Sequence, residues 1–223
     1  MFPPPWQVLH TLTSGIRDRS LLIATGVSLR RMLVGYGVSL LAGAPLGFLL
    51  ARVRWLDDTL GSLVLGLQTL PSICWLPLAL LWFGLNDGAI LFVIIMGSLL
   101  AITTAIKDGV RNLPPVYVRA ARTMGVKPMA LYLEVLMPAS LPVLLIAAKL
   151  GWSFAWRALF SGELLFVSLG LGRQLMLGRE LADMSQVFAV MLVIVGLGLL
   201  TDVAIFGWLE ERMRERWGMG GSA

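Results

Sequence analysis

Charged residues are scarce in this chain of 223 residues, where they make up 14% of the total. Soluble domains carry roughly 25% charged residues. The apolar residues, 57% of the chain, collect instead in charge-free blocks of about 20 residues, the length that a helix needs to cross a bilayer. This composition predicts an all-α polytopic membrane protein with one membrane domain. A soluble helical bundle is the weaker alternative, because a chain this small would have to hide several fully apolar helices.

Cysteine and histidine are nearly absent, which excludes two kinds of site. The single cysteine, Cys74, cannot form a disulfide within the chain, and His10 has no second histidine with which to hold a metal ion. The apolar blocks lack paired catalytic carboxylates and a Ser–His–Asp set, and the chain has no G-x-x-x-x-G-K-S/T phosphate-binding loop. We therefore expect the chain not to be an enzyme and to carry no cofactor of its own.

Apolar blocks and the polar segments between them predict five membrane spans within a membrane domain of residues 29–209. The spans are expected near residues 29–51, 60–84, 89–106, 140–160 and 185–209. Residues 1–28 are expected to form an amphipathic helix on the membrane surface, with a solvated arm as the alternative. Residues 161–184 are too polar and glycine-rich for a span and predict a re-entrant or surface hairpin. Residues 210–223 form a charged tail.

The net charge of +5 indicates an orientation in the membrane rather than nucleic-acid binding, because Lys and Arg concentrate in cytoplasmic loops. With five spans, Arg52 and Arg54, the loop 110–138 and the charged C-terminus fall on one side. That side is predicted to be cytoplasmic, which puts the N-terminus outside. Four arginines count against this orientation: Arg17, Arg19, Arg30 and Arg31.

The second span is interrupted by Pro71 and Pro77, with Gln68, Thr69 and Ser72 beside the break. Broken helices are tolerated in membranes only against protein or a water-filled cavity. These polar residues are therefore candidates for the lining of a transport pathway. The alternative is a kinked span whose hydroxyl groups bond to carbonyls of their own helix.

The fourth span contains Lys149 and Arg157, which lie near the same helix face because they are eight residues apart. Charged residues inside spans are functional candidates, and two cations on a pathway would favour an anionic solute. The alternative is structural. In that case Arg157 pairs with Glu163, and Lys149 neutralises Asp202 or bonds to carbonyl groups.

The loop between the third and fourth spans has the pattern of a short helix–turn–helix. Gly125 follows a small-residue helix, at a place where a left-handed residue commonly ends a helix. Pro128 suits the first turn of the next helix. Because a short helix can dock in a groove of another protein, this cytoplasmic loop is predicted to be a socket for a partner.

The spacing within this loop resembles the signature loop of bacterial ABC-importer permeases. Ala120 and Ala121 match its two alanines, Gly125 its glycine and Pro138 its proline, while Arg119 stands where the family has glutamate. The segments LPSICWLPLALLWFGL and AAKLGWSFAWRALFSGELL are similar to permeases for nitrate, sulfonate, taurine and bicarbonate. The resemblance covers roughly residues 25–215.

This resemblance implies a type I ABC-importer transmembrane domain that forms the pathway for a small anionic solute. Arg119, Ala120, Ala121, Gly125 and Pro138 would then belong to the segment that couples the permease to its ATPase. The implied partners are two ABC ATPase subunits that hold ATP and Mg²⁺, a second copy of the chain, and an extracytoplasmic solute-binding protein. The implied location is the bacterial inner membrane.

Two alternatives stay open from the sequence. An ion-coupled secondary transporter is the alternative function, although such folds usually contain internal repeats and none is evident between the two halves. Permeases of the resembled kind usually carry one more N-terminal span. Either the beginning of the chain is truncated, or the five-span core stands alone.

Overall fold

Helices make up the structure, a computed structural model that describes residues 3–114, 116, 119, 121, 123–125, 137–165 and 169–216. Those residues contain no strand. The α-helices, numbered in chain order, are α1 (Pro5–Arg17), α2 (Ser20–Arg52), α3 (Arg54–Leu56), α4 (Ser62–Gln68), α5 (Leu76–Phe83), α6 (Asp87–Arg111), α7 (Met137–Ala139), α8 (Leu141–Leu165), α9 (Leu171–Glu180), α10 (Met184–Thr201) and α11 (Trp208–Arg216). Two π-helical turns (Asp57–Gly61 and Asp202–Gly207) and one 3-10 turn (Ser72–Trp75) connect them.

Four helical segments are long and apolar enough to cross a membrane, and a bent pair of helices makes a fifth. The four are Ser20–Arg52, Asp87–Arg111, Leu141–Leu165 and the continuous stretch Met184–Met213. The bent pair is Arg54–Gln68 with Ser72–Phe83. The prediction of an all-α polytopic protein with about five spans is therefore confirmed.

The first span begins earlier than the sequence predicts. The chain turns at Arg19, whose φ of 60° lies in the left-handed region, and α2 then runs without interruption from Ser20. Leu21 is buried in a cluster with Val190 of α10, and this burial extends the helix beyond the expected start near residue 29. The segment expected to lie on the membrane surface is thus reduced to α1, which packs against α10.

The helix at the centre of the bundle is α6. In its most apolar stretch 61% of the residues are buried, against 28% in α2 and 28% in α8. Glycines let α2 approach it closely: a Cβ at Gly47 would lie 2.7 Å from the carbonyl oxygen of Thr103, and one at Gly35 would lie 2.6 Å from Ile94 Cγ2. Close backbone approach through small residues is how helices associate in membranes. Around α6 stand α2, α8 and the broken span.

The broken span turns sharply where its prolines predict an interruption. Its two parts meet at 106°. Pro71 stands in the break with an extended backbone (φ −54°, ψ 143°), and it has no N–H to continue α4. Pro77 occupies the first turn of α5, a position that proline favours. The bend therefore follows from the two prolines in the break itself. Both arms of the broken span pack against α6.

The stretch 161–184, predicted to be a re-entrant or surface hairpin, is largely helical in its described residues. Its first residues complete α8, which ends at Leu165, and residues 171–180 form the short helix α9. The next span, α10, begins after Asp183, whose side chain accepts hydrogen bonds from Ser185 N and Gln186 N. Whether α9 lies on the membrane surface stays a prediction.

Candidate functional site

A cavity of about 510 Å³ lies at the bend of the broken span. Its walls come from the break between α4 and α5, the middle of α6 and the second half of α8. Gln68, Thr69, Ser72 and Arg157 all line this bend cavity. Four of the five residues proposed for a pathway from the sequence are thus brought together around one space.

The polar residues at the break are held by their neighbours. Thr104 of α6 donates a hydrogen bond to the side-chain oxygen of Gln68. The hydroxyl of Thr69 donates to the carbonyl oxygen of Gly66 at 2.7 Å, as the kinked-span alternative expects. Ser72 faces Gly97 of α6, where a Cβ would lie 3.3 Å from the serine hydroxyl. The lining of the cavity is mainly apolar, and these few polar side chains are held in place on it.

Arg157 reaches the bend cavity from α8, and its contacts are with its own helix. Its Nε donates to the carbonyl oxygen of Ser153 at 3.3 Å, and Nη2 donates to the hydroxyl oxygen of the same serine at 3.1 Å. Its Cζ lies 4.6 Å from the centroid of the Phe154 ring. Among the described residues no carboxylate forms an ion pair with it. The guanidinium is thus oriented without being neutralised.

Lys149 does not reach the bend cavity. Its Nζ lies 3.1 Å from Asp202 Oδ1 and 3.2 Å from Glu210 Oε1. These contacts tie the first half of α8 to the end of the last span. The geometry therefore matches the structural alternative for this lysine, in which Asp202 neutralises its charge.

The expected pair of Arg157 with Glu163 is replaced by a different one. Glu163 is fully buried, and its Oε1 accepts a hydrogen bond from Arg31 Nη1 at 2.9 Å. The hydroxyl of Ser28 lies 2.8 Å from each carboxylate oxygen, and Gly172 N donates to Oε2 at 2.9 Å. Burial explains the choice of partner, because a buried carboxylate needs several donors that point inwards, whereas Arg157 faces the cavity.

The outer ion-pair network formed by Ser28, Arg31, Asp87, Glu163 and the backbone of residues 169–172 joins four elements. Arg31 also donates from Nη2 to Asp87 Oδ1 at 2.6 Å and from Nη1 to the carbonyl oxygen of Leu169 at 2.6 Å. It therefore connects the beginnings of α2 and α6 to the end of α8. Leu171 N at the start of α9 donates to the Ser28 hydroxyl at 2.9 Å.

Two glycines make room for the buried carboxylate. A Cβ at Gly170 would lie 2.5 Å from Glu163 Oε1. A Cβ at Gly172 would lie 2.5 Å from Glu163 Cβ and 3.0 Å from its carbonyl carbon. The sequence Gly-Leu-Gly at the start of α9 therefore lets the backbone approach Glu163 closely.

Sequence reasoning identified Glu163 as an ion-pair residue but missed Arg31 as its partner. Arg31 was weighed only for membrane orientation, although an arginine inside an apolar run predicts a partner in the bundle. The other available signal was the Gly-Leu-Gly motif, since glycines that follow a buried acid indicate a backbone that must come close. Neither signal identifies the partner, because Arg31 and Glu163 are 132 residues apart.

The residues proposed for ATPase coupling are described only in part. Arg119 is exposed and Ala121 is 5% exposed. Gly125 has a φ of +75°, the left-handed conformation that ends helices. Pro138 is half-buried in α7, and Ala120 lies outside the described residues. The left-handed glycine is confirmed, whereas a coupling role for these residues stays a prediction.

Comparisons with known proteins agree with this architecture. The model of the family described as "Binding-protein-dependent transport system inner membrane component" matches residues 43–215. A putative ABC transporter permease protein of Methanocaldococcus jannaschii is 31% identical over 196 residues, which are 87% of this chain and 73% of the relative.

Two further relatives carry names that mention a solute. A putative aliphatic sulfonates transport permease protein of Escherichia coli is 28% identical over 191 residues, covering 86% of this chain and 72% of the relative. The nitrate import permease protein of Leptolyngbya laminosa is 28% identical over 196 residues, covering 88% and 70%. In fold, the chain is similar to the MetNI methionine ABC transporter in an inward-facing conformation, with a TM-score of 0.70, 21% identity and coverage of 88% of this chain and 95% of that one.

Proposed function

The chain belongs to the family of binding-protein-dependent transport system inner membrane components, and on that premise we propose that this ABC-importer permease carries a small anionic solute through the bend cavity. The observation that carries the proposal is Arg157, a cation without a paired carboxylate among the described residues, on the wall of a cavity inside the membrane domain. Relatives named for sulfonates and nitrate support an anionic solute. Sulfonate, nitrate, taurine and bicarbonate are the candidates.

A second copy of the chain completes the pathway in this proposal. Thr69 and Arg157, which line the bend cavity, are exposed in a single chain. A solute needs a pathway that is closed to lipid on all sides. The cavity wall needs the same cover, because an arginine exposed to hydrocarbon is costly in free energy. A homodimer would enclose the two cavities between its halves.

The remaining partners follow from the division of labour in an importer. Two ATPase subunits would hold ATP and Mg²⁺, and a solute-binding protein would deliver the solute from outside. We place the ends that carry Arg52, Arg54 and Arg111 in the cytoplasm by the positive-inside bias. The outer ion-pair network then lies on the opposite side, facing the binding protein, with the N-terminus outside and the C-terminus in the cytoplasm.

ATP-dependent uptake tests the proposal directly. The permease would be purified with its ATPase and binding protein, reconstituted in liposomes, and given labelled taurine, methanesulfonate, nitrate and bicarbonate, with choline as a cationic comparison. We expect uptake of at least one anion that requires ATP, and no uptake of choline. Uptake that persists without ATP and follows an imposed ion gradient would instead support a secondary transporter.

Gly125 tests the coupling loop separately from the pathway. Its φ of +75° disfavours a β-branched residue, while a Cβ at this position would meet nothing within 4 Å. Gly125→Val should therefore abolish solute-stimulated ATPase activity while leaving membrane insertion intact. Gly125→Asn is the matched control, because asparagine tolerates the left-handed conformation. Normal stimulation in the valine variant would refute the coupling role.

A further inference from the structure

Arg157 differs in its electrostatic surroundings from Arg31, Lys107 and Lys149 of the membrane domain. Arg31 pairs with Glu163 and Asp87, Lys107 pairs with Asp57 at 3.2 Å, and Lys149 pairs with Asp202 and Glu210. The polar partner of Arg157 in the described structure is Ser153, one turn away on the same helix. Its charge is therefore available to a ligand.

The position of Arg157 makes an uncompensated charge costly. It lies eight residues before Leu165, the end of α8, which is about 12 Å along a helix with a rise of 1.5 Å per residue. Ionisable groups at such depth face a cavity or a partner and mark ion or substrate pathways. The bend cavity, at about 510 Å³, has room for several water molecules, which would stabilise the guanidinium between transport events.

Nη1 of Arg157 is the group most suited to hold an anion. Nε and Nη2 are engaged by Ser153, and stacking on Phe154 fixes the plane of the guanidinium. Ser161, one turn further along α8, lines the same cavity. The hydroxyl of Ser72 lies on the opposing wall beside Gly97. The hydroxyl of Ser161 already donates to the carbonyl oxygen of Arg157 at 3.0 Å, so the donors left for an oxyanion are the Arg157 guanidinium and the Ser72 hydroxyl.

We propose that Arg157 and Ser72 form an oxyanion subsite of the bend cavity that binds the sulfonate, carboxylate or nitrate group of the solute, with Ser161 beside them on the cavity wall. The subsite rests on the proposed function, in that its ligand is the transported solute. It goes beyond that function by assigning the anion-binding role to the Arg157 guanidinium and the Ser72 hydroxyl. Lys149 plays no part in it, because its charge is already neutralised by Asp202 and Glu210.

Thiol labelling measures the potential at this subsite without relying on transport. Cys74, which is exposed, is first removed by Cys74→Ser, and Ser161→Cys places a reporter beside Arg157. The complete transporter in lipid nanodiscs is then treated with anionic sulfonatoethyl methanethiosulfonate or cationic trimethylammonioethyl methanethiosulfonate. The two rates are read on the permease by mass spectrometry, and their ratio reports the local charge.

The expected result is a ratio that depends on Arg157 alone. Arg157→Gln should lower the anionic-to-cationic rate ratio by about tenfold or more, since one unit charge within a few ångströms is worth several kcal/mol at an effective dielectric constant of 20. Arg157→Lys should restore most of the ratio. Arg30→Gln is the matched control and should leave the ratio unchanged, because Arg30 lines a different cavity. Methanesulfonate should slow the anionic reagent only when Arg157 is present.

Two outcomes would overturn the subsite. A ratio unaffected by Arg157→Gln would show that the guanidinium faces lipid head groups instead of the cavity. A reporter that reacts with neither reagent, at residue 161 and equally in a second variant carrying Ser72→Cys, would show that water does not reach the cavity. Because labelling needs no transport, a protein that moves no anion could still show the Arg157-dependent ratio, so failure of the proposed function is distinguishable from failure of the subsite.

Discussion

Arg31 and Arg157 are both arginines of membrane-spanning helices, but they differ in burial and in their ion-pair partners. The side chain of Arg31 is 6% exposed and binds two carboxylates. Arg157 is exposed and lines a cavity, and in the part of the chain that the structure describes its side chain contacts Ser153 and the ring of Phe154. The charge of Arg31 therefore stabilises the fold, whereas the charge of Arg157 is available to bind a ligand.

The two regions also differ in how they are built. The outer ion-pair network gathers α2, α6, α8 and the start of α9 around a fully buried carboxylate. The bend cavity lies where a helix is interrupted and two arms meet at 106°. Arg31 donates hydrogen bonds to Glu163, Asp87 and the carbonyl oxygen of Leu169, although its Nε is buried without a partner among the described residues. Because such a buried polar network rigidifies its surroundings, we expect the network end of the bundle to stay fixed while the bend accommodates the solute.

Removing Glu163 should have the largest effect on stability. Glu163→Ala leaves Arg31 buried without its main partner, and breaking a buried ion pair in this way costs about 3–5 kcal/mol. The measurement is unfolding of the purified permease by a denaturing detergent. Glu180→Ala, at the exposed end of α9, is the control and should leave the midpoint unchanged. Equal unfolding midpoints for the two variants would show that the network does not stabilise the fold.

A methyl group at Gly172 should disturb the same network more mildly. Its Cβ would lie 2.5 Å from Glu163 Cβ and 3.0 Å from backbone, and overpacking of this kind typically costs about 1–3 kcal/mol. Gly172→Ala should lower the unfolding midpoint, whereas Gly196→Ala should not, because a Cβ there meets nothing within 4 Å. A Gly172→Ala protein as stable as the wild type would contradict the close fit around Glu163.

Lys149 should give the smallest effect of the cations in α8. Its side chain is 38% exposed and those of Asp202 and Glu210 are 52% and 39% exposed, and exposed ion pairs contribute about 0.2–1 kcal/mol. Lys149→Gln should therefore retain most of the solute uptake and nearly all of the stability. Loss of anion uptake at normal stability in this variant would show that Lys149 takes part in transport. It would then contradict the distinction drawn here between Lys149 and Arg157.

Local sequence signals predicted the fold and part of the site. Charge-free blocks identify the spans, Pro71 and Pro77 mark the bend, and Gly125 marks a helix end, because each depends on the residues immediately around it. The same signals placed polar residues at the break, and four of the five pathway candidates do meet at the bend cavity.

Contacts between distant segments could not be predicted in this way. The sequence offers Glu163 as the structural partner of Arg157, yet Glu163 binds Arg31, 132 residues away. The true start of α2 depends likewise on burial of Leu21 against Val190. Such choices are decided by which helix faces turn towards each other, and that information is not contained in any one stretch of sequence.

Uptake by matched variants at the two α8 cations tests the central claim most directly. In liposomes with the ATPase and binding protein, initial rates of ATP-dependent anion uptake would be compared for Arg157→Gln, Arg157→Lys and Lys149→Gln at equal amounts of assembled transporter. The account predicts that Arg157→Gln loses uptake, Arg157→Lys keeps part of it, and Lys149→Gln remains close to the wild type. Wild-type uptake by Arg157→Gln would contradict it.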